Sequence, residues 1–180
     1  INNKFESFNR VINLNDTSDL YIENNQFDNC RTAVQYWERN NKTSNWQIKG
    51  NNFNSADFVA ATEGRFLYWV TTSPIIGFED LVVEGNVIRN CFTHAISLTV
   101  NKNAKIAKNV VTGVRRNAIY VYGGDRVNII DNLLVDNIVG GSGADADIVV
   151  GNNSALPASN VIVSGNNIAK HITGTAVNSV

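Results

Sequence analysis

The 180-residue chain has only two cysteines, two prolines and two histidines, and almost no net charge. Its 15 basic and 16 acidic residues leave a formal charge of −1. That argues against nucleic acid or an anionic membrane as partner, since both call for a basic face. No apolar run approaches the length of a membrane span. Hydrophobic residues make up 43% of the chain, enough for one domain with a substantial core.

The chain does have a repeat. Asn3, Asn25, Asn51, Asn86, Asn109, Asn132 and Asn166 occupy matching places, separated by 22, 26, 35, 23, 23 and 34 residues. Three residues before each of the last six stands a β-branched aliphatic: Ile22, Ile48, Val83, Ile106, Ile129 and Val163. Two residues after all seven comes a large apolar side chain: Phe5, Phe27, Phe53, Ile88, Val111, Leu134 and Ile168. A period near 23 with occasional insertions is the signature of a solenoid. Short β-rich segments broken by turns make it a coil of strands. The asparagine is expected to take a left-handed backbone at a sharp bend, and its amide to bond its counterparts in neighbouring coils.

Each coil is expected to carry three strands. The third begins eight or nine residues after the asparagine, at 11–14, 33–37, 59–62, 95–99 and 118–122, and later, after an insertion, at 147–150. Alternation turns Val34, Ile96, Leu98, Ile119, Val121, Ile148 and Val150 inward. It turns Gln35, Trp37, Ser97, Thr99, Tyr120, Tyr122 and Asp147 outward. The long steps hold insertions at 64–77 and at 139–146 with 151–159, where Pro74 and Pro157 interrupt no ladder. Cys30 and Cys91 share a column two coils apart. At about 4.8 Å per coil they stand roughly 9–10 Å apart, beyond the ~7 Å reach of a disulfide, and read as small core residues.

The pattern I-x-x-N-x-Φ followed by an aliphatic strand, as in "VNIIDNLLVDN" and "LVVEGNVIRNCFTHAISL", resembles the right-handed parallel β-helix of pectate lyases and phage tailspikes. The resemblance covers nearly all of the chain and implies an all-β, single-domain solenoid of about seven coils. It also implies a polysaccharide partner and an extracellular or virion-surface location, with a homotrimer if the chain is a tailspike. Because it starts at Ile1 in mid-coil, the chain reads as part of a longer polypeptide.

Outward aromatics suit sugar rings, whose C–H faces seek apolar contact. Trp37, Tyr120 and Tyr122, with Ser97 and Thr99, are the candidate substrate-binding residues, and Trp69 is a possible wall. Arg31, Asp57, His94, Arg115, Arg116 and Asp145 occupy the same turn in successive coils. His94, Arg115, Arg116, Asp145 and Asp147 are the candidate catalytic set, since a lyase needs a base for the α-proton and a cation for the uronate carboxylate. Asp145 with Asp147 offers oxygen ligands for calcium, whereas simple surface ion pairs would explain the same charges. Glycoside hydrolysis would instead pair two carboxyls among Glu38, Glu63, Asp125 and Asp147. A non-catalytic binding or structural shaft remains the alternative. "GGSGAD" at 140–145 matches only the start of a tandem calcium repeat and reads as a loop.

Overall fold

The computed structural model describes residues 2–38, 44–55, 64–71, 78–138, 146–152 and 157–169. The chain winds through three strand positions per coil. The first coil is β1 (Lys4–Glu6), β2 (Arg10–Asn15) and β3 (Leu20–Glu23). The second is β4 (Gln26–Asp28), β5 (Thr32–Glu38) and β6 (Ser44–Lys49), and the third β7 (Asn52–Asn54), β8 (Arg65–Thr71) and β9 (Phe78–Glu84). In the fourth, β10 (Val87–Arg89) leads into a long β11 (Ile96–Ala107) that fills both later positions. Then come β12 (Val110–Thr112), β13 (Ile119–Tyr122) and β14 (Asp125–Ile130), followed by β15 (Leu133–Val135), β16 (Ile148–Gly151) and β17 (Ile162–Ser164). β18 (Asn167–Ala169) opens one more pass. Among the described residues there is no helix.

All strand pairings join one coil to the next and all are parallel. The first sheet runs β1-β4-β7-β10-β12-β15-β18. The second holds β2, β5, β8, β11, β13 and β16, and the third β3, β6, β9, β11, β14 and β17. Five coils lay all three strands on the coil before them, so the solenoid has about five turns, not the seven expected. Counting asparagines counts passes through one sheet. The first pass has no coil beneath it, and the seventh contributes only β18 among the described residues.

The aliphatic column is one registered stack, Ile22 to Ile48, Val83, Ile106, Ile129 and Val163. All are buried except Val163, the last rung. The column after each asparagine is likewise in register from Phe5 to Ile168. Phe5 and Phe27 stack at 5.3 Å between ring centroids. Tyr36, Trp46 and Phe78 form a buried aromatic knot with centroids 4.9–5.2 Å apart. Each such side chain contributes roughly 1.5–3 kcal/mol by leaving water. Cys30 and Cys91 are free, buried thiols, as their column requires.

The asparagines form the expected ladder. Each Oδ1 from Asn25 to Asn166 accepts the backbone N–H and the side-chain amide of the ladder asparagine one coil earlier, at 2.9–3.1 Å. From Asn51 onward the amide nitrogen also donates to the carbonyl of the preceding coil's aliphatic, such as Asn109 to Val83 at 3.0 Å. Aspartate, lacking the NH2, is unsuited to this position.

The left-handed bend, however, is one residue earlier. Positive φ falls on Asn2, Asn24, Gly50, Gly85, Lys108, Asp131 and Gly165, and on none of the ladder asparagines. Two more left-handed corners recur along the solenoid. One lies six residues before the ladder, at Asp19, Asn45, Asp80, Asn103, Arg126 and Asn160. The other lies four after it, at Ser7, Asn29, Asn90, Gly113 and Asp136. The chain is rich in Asn, Asp and Gly because the corners favour residues that tolerate this region.

Candidate functional site on the second sheet

The outer face of the second sheet is built from alternate residues of β2, β5, β8, β11, β13 and β16. Asn13, Gln35, Tyr68, Ser97, Tyr120 and Val149 form one registered row across all six. A second row includes Thr99, Tyr122 and Gly151. The inward partners Val34, Ile96, Leu98, Ile119 and Val121 are buried, which fixes the alternation. The third coil differs from expectation. Its second-sheet strand is Arg65–Thr71, pairing with β5 and β11, and not residues 59–62, which lie outside the described set. Residues 64–71 are therefore scaffold. Trp69 is partly buried against the core, in register with Tyr36, and is no loop wall.

Three residues expected on the open face are buried: Gln35 at 4% exposure, Thr99 at 1% and Asp147 at 7%. Alternation sets which way a residue leaves the sheet, and exposure depends also on what packs over it. Thr99 is thus not offered to a ligand. Asp147 lines a cavity of about 130 Å³ with Ile148, Val163, Asn166 and Ile168, near the last rung of the core. Trp37, Ser97 and Tyr120 are half-buried and Tyr122 is exposed.

The turn entering this sheet brings together residues distant in sequence. Arg115 donates its backbone N–H to the Cys91 carbonyl at 2.9 Å, and Arg116 to that of Thr93 at 3.1 Å. His94 therefore sits one coil from the two arginines, as the repeat implied. Its ring lies 5.2 Å from that of Tyr120, and Tyr120 stacks 6.3 Å from Tyr122. Arg115 holds its guanidinium carbon 4.4 Å over the Phe92 ring and, among the described residues, has no carboxylate partner. Two coils before Arg115, Arg65 covers Tyr68 at 3.6 Å and donates through Nε to Thr93 Oγ1 at 2.8 Å. Such cation–π contacts hold long side chains against the sheet while the charge stays at the surface.

Tyr68, Arg65 and Phe92 were missed from sequence. Alternation in "RFLYWV", with Leu67 under Val34, turns Tyr68 outward, but the long step from Asn51 to Asn86 concealed that strand. Asp57, Glu63 and Asp145 lie outside the described residues, as do the 140–145 loop and the Glu38 side chain. Among the described residues no group of three His, Cys, Asp or Glu is arranged to hold a metal. Asp125 lies at the start of β14, on the third sheet. Hydrogen bonds from Asn160 and Ser159 hold its carboxyl below the ordinary range. An ionised carboxylate of this kind is a poor proton donor to a leaving sugar.

No family model matches the chain, and no curated protein or solved structure matches it.

Proposed function

We propose that this solenoid is a carbohydrate-binding module that holds an acidic extracellular polysaccharide along the outer face of its second sheet. The ring series His94–Tyr120–Tyr122, with Arg115 one coil from His94 and without a carboxylate partner among the described residues, carries the reading. Sugar rings take apolar contact from tyrosine faces, and a uronate carboxylate takes charge-assisted hydrogen bonds from a guanidinium. Parallel coils repeat the surface at about 4.8 Å, so one set of contacts can follow a polymer.

Cleavage is the second stage of the same proposal. In uronate elimination His94 takes the α-proton while Arg115 and Arg116 stabilise the carboxylate; the C–H electron pair forms the C=C bond as the β C–O bond breaks, and water protonates the departing sugar oxygen. The product carries an unsaturated uronate that absorbs in the ultraviolet.

The test is incubation with polygalacturonate, alginate and hyaluronan, read by ultraviolet absorbance, reducing ends and calorimetric binding. Tyr120→Ala should weaken binding of the recognised glycan by about 1 kcal/mol, roughly fivefold. Arg115→Ala should weaken it at least as much. If both variants bind like the parent, this face is not the site.

A specific observation also favours the alternative of a non-catalytic shaft. Val87, Val110 and Leu133 make an adjacent apolar row on the outer face of the first sheet, with Leu133 37% exposed. Such a row suits packing against another chain, including a homotrimer, and sedimentation of the parent against Leu133→Lys would detect it.

A further inference from the structure

We infer that the outer face of the third sheet carries a separate groove for a neutral oligosaccharide, built from side-chain amides and needing no net charge. The inference is independent of the second-sheet proposal, and neither fails with the other.

The groove encloses about 390 Å³ between two rows of side chains. One row consists of Gln47, Val82, Lys105 and Asn128, registered neighbours on β6, β9, β11 and β14. The other is the left-handed corner at Asn45, Asp80, Asn103 and Arg126, all with φ of 55–56°. Between them the inward residues Leu81 and Ala104 contribute to the floor. Four coils make three steps, so the groove runs about 14 Å along the solenoid.

Its charges cancel locally. Lys105 Nζ lies 3.0 Å from Glu84 Oε1, and Arg126 Nε lies 3.5 Å from Asp125 Oδ2. Glu84 is shared with Lys108, whose Nζ lies 3.5 Å from the same oxygen, but Asp80 in the corner row adds a second carboxylate to the groove, so no surplus positive charge remains to select a polyanion.

The amides are partly committed, and what is left is complementary. Asn45 and Asn103 donate their NH2 groups to Asp19 at 2.7 Å and to Asp80 at 2.6 Å. Their carbonyl oxygens remain as acceptors along the corner. Gln47 uses its oxygen to accept Lys49 Nζ at 2.6 Å, which leaves its NH2 as a donor. Asn128 engages neither amide group among the described residues. The open acceptors of Asn45 and Asn103, the open donor of Gln47 and both groups of Asn128 fit hydroxyl groups, which both donate and accept. Val82, half-buried between Gln47 and Lys105, gives an aliphatic patch for a C–H face. That combination describes a neutral glycan: many hydroxyls, no carboxylate and apolar ring faces.

The test uses the isotopically labelled chain and five neutral hexasaccharides: cellohexaose, maltohexaose, mannohexaose, laminarihexaose and chitohexaose. At least one should shift the side-chain amide resonances of Asn45, Gln47, Asn103 and Asn128. The Gln47→Ala/Asn128→Ala double variant should weaken that binding at least tenfold, while Tyr120→Ala leaves it unchanged. The inference is overturned if none of the five binds, if the shifts fall on the second-sheet face, or if the folded double variant binds like the parent. The shift map of the parent decides the matter even if the double variant does not fold.

Discussion

Replacing Asn109 with alanine removes four hydrogen bonds at the centre of the solenoid. The backbone N–H and side-chain amide of Asn86 both lose Asn109 Oδ1 at 3.0 Å. The carbonyl of Val83 and Oδ1 of Asn132 lose the Asn109 amide, also at 3.0 Å. Asn86, Asn109 and Asn132 are at most 1% exposed, so water cannot substitute. At 0.5–1.5 kcal/mol net per bond the loss is about 2–6 kcal/mol. Asn3 is the internal control, because its side chain makes one bond, to Asn25, and is exposed. Asn3→Ala should cost less than about 1 kcal/mol. Urea unfolding followed by far-ultraviolet circular dichroism and by the fluorescence of buried Trp46 would measure both. Two probes are needed because stacked repeats can lose cooperativity. The ladder argument fails if Asn109→Ala costs no more than Asn3→Ala, or if Asn109→Asp is as stable as the parent.

Three further outcomes follow from the packing. Ile106→Asp places an unpaired charge in a fully buried column and should cost at least about 4 kcal/mol by the same unfolding assay. Gly124 has φ +111° and leaves a new Cβ only 2.9 Å from Val100. Gly124→Ala should therefore lose about 1–3 kcal/mol, whereas Gly85→Asn, with nothing within 4 Å of its Cβ, should lose less. Burial pushes the Cys91 thiol well above its ordinary range, and the Cys30 thiol upward as well. The folded state thus retains protons that the unfolded chain releases. The stability this provides is complete below about pH 8.5 and declines as pH rises beyond it, by about 1.4 kcal/mol per unit for the Cys91 thiol. Cys91→Ala should show a shallower alkaline decline, and an equal slope would refute the assignment.

The sequence made the core legible because a parallel solenoid stacks equivalent residues directly on one another. Ile106 covers Val83 and is covered by Ile129, so a column in an alignment of the chain with itself is a column in space. The asparagine ladder was legible for the same reason. The position of the bend was not. Both the ladder and the bend draw Asn, and only backbone torsions separate Asn25, which bonds inward, from Asn24, which turns the chain. The strand Arg65–Thr71 was hidden because an insertion shifts where the next strand starts, and pairing with β5 and β11 fixes it.

For the candidate site, the repeat correctly placed His94 next to the Arg115–Arg116 turn and Tyr120 beside Tyr122 on one face. It did not reveal that Arg115 rests on Phe92, that Arg65 covers Tyr68, or that Thr99 and Asp147 are buried. The groove on the third sheet was also invisible, because its amides are ordinary members of an Asn-rich chain until the coils align them. What the sequence by itself determined was the register of the two apolar columns that flank the asparagine ladder, since periodic burial admits only one alignment of them. What only the tertiary structure decided was which polar side chains remain open, since that depends on how the windings cover one another and on which partners the amides and guanidinium groups already hold.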